Sequence, residues 1–596
     1  MPLDSSRLLG RARSFLPRLA IAGLALGGTL TLLTVVPAQA RARENLAVPT
    51  PFEVGESPSG NYLAALVAGA ERDTLAASTF FREALRADPK NPELLERAFV
   101  ASVANGNMPD AFSLAERLIA RDPNNGLAHL ALGVRAIKQR KWAAARADLA
   151  KGGAGVQRDL TATLLTAWTY VGSGDGQKAM QTVDKLRDES FQSFRDYHGA
   201  MISDVLRNKS EARKRYAALY ANEKSTLRLV DAYARFMAAT GDREEAKRAY
   251  EAFDAILPRH PLITTALADL AAGKPLEPFV RNADEGAAEV LYGLGAVGGR
   301  QGDELAAMIY LRLSLYLAPN NGLALVTLAD VSERLKQYEQ AIEIYNMVPE
   351  SSPLRTNADI QIALLLETLG KTEEASKHLQ SIVAAHPNDE DALSALGNLQ
   401  RSRKDYKASI ESYTKALEVS GKPEKSLWSL YYYRGISYER DKQWPQAEAD
   451  FKKALALYPE QPLVLNYLGY SWVDRGEHLD EALGMLRRAV ELRPNDGYIV
   501  DSLGWAHYKL GRYDQAVAEL ERAIDLKPAD PVINDHLGDA YWKVGRKLEA
   551  KFQWNHARDL KPEPDDLKRI LVKIEKGLEE DEKPTEAVAE PKKNGG

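Results

Sequence analysis

Cysteine is absent from all 596 residues. Without thiols the chain can form no disulfide, no thiolate zinc site and no cysteine nucleophile, and no cysteine is available for an N-terminal lipid. A basic excess is missing as well: 78 lysines and arginines face 83 aspartates and glutamates, giving a formal net charge of −5. That balance lacks the electropositive footprint of a nucleic-acid binder. No segment sustains the apolar–polar alternation of a half-buried strand, so an all-α chain with essentially no sheet is expected. The nine histidines are scattered and never form H-E-x-x-H.

What is present is repetition. Between Leu463 and Pro562, Gly469, Gly504 and Gly538 recur at intervals of 35 and 34 residues. Ala482, Ala516 and Ala550, then Ala489, Ala523 and Ala557, then Pro494, Pro528 and Pro562 keep the same step. A period near 34 made of two amphipathic segments predicts a helical solenoid, in which each unit buries its apolar face only against its neighbours. Function then means binding rather than chemistry.

The grammar of each unit is physical. The eighth position must be small where two helices cross at close range, and it is glycine at Gly133, Gly295, Gly397, Gly435, Gly469, Gly504 and Gly538. The fifteenth position ends the first helix, often with a glycine that takes the left-handed conformation at little steric expense. A proline near each unit's end stops the second helix.

Read with this grammar, residues 58–271 form a degenerate N-terminal array. The run Lys-Gly-Gly-Ala-Gly at 151–155 interrupts one of its second helices, and Gly273, Pro275 and Pro278 place a break or bend at 272–287. The register resumes at Ala288 and holds to 562, making about fourteen units and a fragment, several times the minimum for a stable solenoid. Residues 563–580 read as a capping helix, with Leu567, Ile570, Leu571, Ile574 and Leu578 on one side. The charged, proline-containing tail at 581–596 is expected to be disordered.

The first forty residues point to export. Arg7, Arg11, Arg13 and Arg18 precede an uncharged run from Leu19 to Val36, and Ala38 and Ala40 supply a small-residue cleavage site. Residues 1–40 therefore read as a signal peptide cleaved after Ala40, followed by a flexible leader at 41–57 and a periplasmic mature chain. The same run, about 18 residues long, also has the length of an uncleaved membrane anchor.

The unit from Gly497 to Asp530, with Leu503, Gly504, Tyr508, Ala516, Leu520, Ala523 and Pro528, resembles a tetratricopeptide repeat. The resemblance implies a right-handed superhelical solenoid of helix-turn-helix repeats. The strings LNYLGYSWVDRG, DSLGWAHYKLG and HLGDAYWKVGR, set at the end of a long array, are similar to those of bacterial envelope proteins with such repeats. Among these are adaptors of periplasmic C-terminal processing proteases. The resemblance implies a non-enzymatic scaffold whose partner is an envelope protein, either a protease or a component of exopolysaccharide or outer-membrane assembly and secretion machinery. Arg41 stands where an adaptor lipoprotein would have cysteine.

If the resemblance holds, the second, fifth, ninth, twelfth and thirteenth residues of each unit point to the concave face. In the last units these are Tyr432, Glu439, Arg440, Asn466, Tyr470, Asp474, Tyr498, Asp501, Trp505, Tyr508, Lys509, Asp535, Asp539, Trp542 and Lys543. Aromatic rings interleaved with charges suit protein recognition, the rings supplying anchor area and the charges selectivity. His507 and His536 lie in or beside first helices, near Asp501, Asp535 and Asp539, and read as solvated or groove-lining residues in preference to a proton-relay or metal site. The unit at 390 has Asn398 at its ninth place but Ser394 at its fifth, so a carboxylate clamp is not expected.

Catalytic and cofactor motifs fail in context. Gly293, Gly295 and Gly298 spell the dinucleotide fingerprint, yet the residues before them continue one helix instead of a strand. Gly370-Lys371-Thr372 imitates a phosphate loop but has Leu365 where the first glycine belongs. Ser471 lacks the flanking glycine of a nucleophile elbow. No catalytic residue, cofactor or metal is assigned.

Overall fold

The computed structural model describes residues 54–578 apart from 56, 152–155 and 422–424. The signal segment, nearly all of the leader, the glycine-rich interruption after Lys151 and the tail lie outside the described residues. Among those described are thirty α-helices, two short 3-10 turns and no strand. The helices form fourteen hairpins and two single helices, Pro261–Ala271 and Pro564–Lys576. The chain is an all-α solenoid.

The repeated prolines and acidic or amide residues set the helix boundaries. Proline ends a second helix, and the residue two places on caps the next first helix with its side chain. Asn91 accepts from the amides of Glu93 and Leu94, Asn125 from Ala128, Asn321 from Ala324, Asp389 from Ala392 and Asp530 from Val532 and Ile533. Each such cap satisfies amides that the first turn leaves unbonded and is worth about 1 kcal/mol.

The small eighth position is where the two helices of a hairpin touch. A Cβ on Gly538 would come within 2.5 Å of the Trp554 ring, and one on Gly435 within 2.7 Å of the Phe451 ring. Both rings are fully buried. Gly295 faces Leu311 in the same way, and the whole G-x-G-x-x-G run lies inside the single helix Ala283–Gln301. Its glycines serve packing.

Between hairpin helices the turn residue has positive φ. Glycine holds that place at Gly106, Gly174, Gly241, Gly302, Gly370, Gly476, Gly511 and Gly545. Arg72, Arg140, Arg207, Lys336, Lys404 and Lys442 hold it elsewhere, with φ from 56 to 63°. The left-handed turn is thus kept even where a side chain makes it less favourable by about 1–2 kcal/mol.

After Pro261–Ala271 the chain runs without helix through residues 272–282. Asn282 then caps the helix Ala283–Gln301, accepting from Glu285 N at 3.0 Å. This helix and its partner Glu304–Leu317 turn back against the N-terminal array. Ala283–Gln301 packs on the first helices Val156–Gly172 and Gln192–Val205, and Glu304–Leu317 on Pro92–Asn105 and Gly126–Lys138. Lys138 Nζ donates to the carbonyl of Leu317 at 2.7 Å, and the Phe112 and Tyr316 rings meet edge-on at 5.0 Å. The inner face of the N-terminal array is therefore occupied by a hairpin of the same chain.

Candidate partner-binding face

Among the described residues no hairpin other than their neighbour in the array packs on the last four hairpins, only the terminal helix Pro564–Lys576 reaching the last of them, and their first helices carry the residues singled out from the sequence. In the helix Trp428–Arg440, Tyr432 is only 8% exposed and wedges between Phe451 and Tyr467, at ring distances of 6.2 and 5.9 Å. Burial raises its hydroxyl pKa to about 12. Glu439 accepts from the Tyr467 hydroxyl at 3.1 Å, while Arg440 is exposed beside it, 3.3 Å from Glu439.

In the next helix, Pro462–Arg475, Asn466 is half-buried and its Oδ1 has no hydrogen-bond donor. Tyr470 is half-buried, and burial together with Asp474 and Asp501 raises its pKa to about 12. Asp474, at the rim, lies 3.6 Å from the Lys509 ammonium.

The helix Gly497–Lys509 holds the centre of the face. Trp505 is sandwiched between two rings: Tyr508 at 4.7 Å and 7°, and His536 at 3.9 Å and 14°. Lys509 sits 5.5 Å from the Trp505 ring centre. Asp501 is buried and lies 2.9 Å from His536 Nδ1. Burial disfavours the His536 cation, but Asp501, Asp535 and Asp539 outweigh it and raise the histidine above its ordinary pKa. Tyr498, 53% exposed, stands free of this stack with the Lys527 ammonium 5.3 Å from its ring centre.

In the helix Pro531–Lys543 the acidic positions turn inward. Lys573 of the terminal helix reaches Asp535 at 2.7 Å and Asp539 at 2.8 Å, and Trp554 Nε1 donates to Asp539 at 2.9 Å. Burial raises Asp539 above the usual carboxylate range, against the pull of Lys573. Trp542 packs 5.4 Å from Trp554 and is covered by Gly577, where a Cβ would fall 2.1 Å from the ring. Lys543 is half-buried at the end of that helix. Asp535, Asp539 and Trp542 therefore anchor the cap, whereas Arg440, Tyr470, Asp474, Tyr498, Trp505, Tyr508 and Lys509 remain partly or fully open.

Two residues outside the concave-position rule complete the face. His536 occupies a sixth position, and Lys573 belongs to the cap, beyond the repeat register. Continuing the 34-residue step from Asp539 lands on Lys573, a signal that the register itself could have supplied. Among the described residues no group of three or more His, Asp or Glu side chains is arranged to hold a metal. The assembly offers flat rings, mixed charge and hydrogen-bonding edges, which is recognition chemistry.

Tetratricopeptide repeat family models match residues 360–423 and 428–461, and a TPR repeat model matches 504–545. These segments are tetratricopeptide repeats. The chain is similar to a TPR repeat-containing protein of Pseudomonas aeruginosa, 26% identical over 185 residues that make up 31% of each chain. It is also similar to the heat shock protein STI1 of Saccharomyces cerevisiae, 32% identical over 111 residues, 19% of this chain and 18% of that one. Similarity to the human protein O-mannosyl-transferase TMTC1 is 25% over 167 residues, 28% and 19% of the two chains. The chain spans less than a third of the length of each of these relatives. Among solved structures, a chain of the APC/C hetero-tetramer Cut9–Hcn1 aligns with a TM-score of 0.39 at 14% identity, covering 88% of this chain and 97% of that one.

Proposed function

We propose that the chain is an exported, non-enzymatic scaffold that binds an envelope protein on the inner face of its last four hairpins, with a periplasmic protease as the partner. The observation that carries this reading is the contrast between its two inner faces. The N-terminal one is filled by the chain's own hairpin Ala283–Leu317, whereas the C-terminal one leaves the Tyr508–Trp505–His536 stack edged by open charges and the exposed Tyr498. Large rigid rings anchor partners at little entropic loss, and rim charges select among them. The signal-like first forty residues and the C-terminal repeat strings support the compartment and the partner class.

The test is affinity capture from an envelope extract with the wild-type chain and a Tyr498→Ser/Trp505→Ala variant. Recovery of a protease by wild type and its loss with the variant support the reading. Recovery of an assembly or secretion component in its place would move the chain to envelope assembly, and equal recovery by both proteins would reject this face.

A further inference from the structure

The first helix, Pro58–Ala70, contains no charged residue. Of the residues from Gly60 to Ala70 only Gly60, Leu63, Val67 and Ala70 are exposed, and they lie three, four and three places apart. That is heptad spacing, so the four form one seam along the helix, on the side opposite the fully buried Ala65. Leu63 is 62% and Val67 58% exposed. The seam is the face that a preceding unit would cover. The counterparts of Gly60, Val67 and Ala70 in the next unit, Leu94, Ala101 and Ala104, are buried where the helix Thr74–Ala87 packs against Pro92–Asn105. The fourth counterpart is the charged Arg97, whereas the first unit carries Leu63. A solenoid end needs a polar outer face to stand alone in water. This end is apolar.

The seam matches itself. Its spacing is symmetric about Ala65, so two such helices laid antiparallel across a two-fold axis set Leu63 against Val67 of the other copy and Gly60 against Ala70. Large side chains then meet at the centre, and the small residues let the helix ends approach. Charge agrees with this direction. Glu71 is exposed at the carboxyl end of the helix and has no ion pair among the described residues, in a place where the helix dipole disfavours an anion. Antiparallel pairing brings it beside the amino end of the other copy's helix, where the dipole favours one. The residues just before the helix lie away from the seam: Gly55 N donates to Asn61 Oδ1 at 3.1 Å and Asn61 Nδ2 to the Gly55 carbonyl at 2.8 Å, with Asn61 on the buried side.

We infer that a second copy of the chain covers this seam, giving a two-fold dimer in which the first helices pair antiparallel along Gly60, Leu63, Val67 and Ala70. One helix seam per copy is small against the surface that stable complexes bury, so the dimer is weak, with a dissociation constant on the order of 10 μM. The proposed partner face belongs to the other end of the array, so one dimer carries two such faces.

The experiment is sedimentation equilibrium of the full chain over roughly 1–200 μM, beside disulfide trapping. A monomer–dimer equilibrium is expected, weakened about tenfold or more in Leu63→Glu/Val67→Glu and unchanged in Leu548→Ser/Phe552→Ser, which alters the exposed apolar pair of the last hairpin. Because the chain has no cysteine, single variants report the pairing directly. Leu63→Cys mixed with Val67→Cys should form the mixed disulfide under a glutathione couple faster than either variant links to itself. The trapping variants alter single exposed side chains, so they stay informative if the paired glutamates lower stability. A chain that remains monomeric over the range overturns the inference. So does self-association that survives Leu63→Glu/Val67→Glu, or that is lost in Leu548→Ser/Phe552→Ser and so runs end to end. Equal rates for the mixed and self-linked disulfides overturn the antiparallel two-fold pairing and the inference with it.

Discussion

Arg312 donates through Nε to the carbonyl of Ala104, 208 residues upstream, at 3.4 Å. A cation meets the carbonyl end of the helix Pro92–Asn105, where the helix dipole favours it. The same guanidinium lies over Gly106, whose φ is 88° and whose Cβ, if present, would fall 2.9 Å from Arg312 Cδ. Burial lowers the Arg312 pKa to about 10. One long-range contact thus joins the docked hairpin to a turn of the first array.

Arg312→Ala is expected to lower stability by about 2 kcal/mol, the scale of a lost charged hydrogen bond. Gly106→Ala is expected to lose a comparable amount, through strained φ and displacement of Arg312. Since both act on one contact, the double variant should lose about 1 kcal/mol less than the sum. Urea denaturation of the four proteins gives the cycle.

Helical glycines separate by what faces them. Gly538→Ala drives a methyl into the Trp554 ring and is expected to destabilise by about 1–3 kcal/mol. Gly484, in the helix Leu479–Leu492, has nothing within 4 Å of its Cβ position, so Gly484→Ala should stabilise by about 0.5–1 kcal/mol. Thermal melts of the two single variants should shift in opposite directions.

Much of this was written in the sequence, and the exceptions have physical causes. The glycine-to-aromatic crossings follow from the eighth-position rule, and the proline-to-cap spacing fixes helix starts. The left-handed turns at Arg72, Arg140, Arg207, Lys336, Lys404 and Lys442 carry no glycine, because flanking helices force the turn whatever the side chain. The return of the 283–317 hairpin onto the first array rests on contacts such as Lys138 with Leu317, 179 residues apart, which leave no periodic trace. At the candidate face, repeat positions point to the aromatic helices, but position alone could not tell Trp505, stacked on Tyr508 and His536, from Trp542, covered by Gly577.

Two histidines give pH dependence of opposite sign. His198 is buried and accepts from Trp168 Nε1 at 3.2 Å; burial lowers its pKa from 6.5 to about 4. The unfolded chain therefore takes up a proton that the folded chain refuses, and stability falls by about 3 kcal/mol as pH drops through that window. His198→Gln should flatten this slope in urea titrations at successive pH values. His536, raised above 6.5, stabilises the fold below that value, and its contribution is lost as pH rises through the raised folded pKa. The stability lost in His536→Gln should accordingly be larger near pH 6 than near pH 8.

Within the partner face, structural and contact residues should respond differently. Asp539→Asn weakens the hold on Lys573 and Trp554 and is expected to destabilise by about 3 kcal/mol. Tyr498→Ser alters an exposed ring and should leave the melting temperature unchanged while weakening partner capture. Melts and capture measured on both variants separate the two roles.

Photo-cross-linking in the envelope puts the division between the two inner faces at risk in one measurement. A photoreactive residue replaces Tyr498 on the C-terminal face or, in parallel, Tyr310 on the hairpin docked in the N-terminal array. Adducts to another protein from position 498, with only intrachain adducts from position 310, are the expected result. Partner adducts from position 310 and none from position 498 would contradict it.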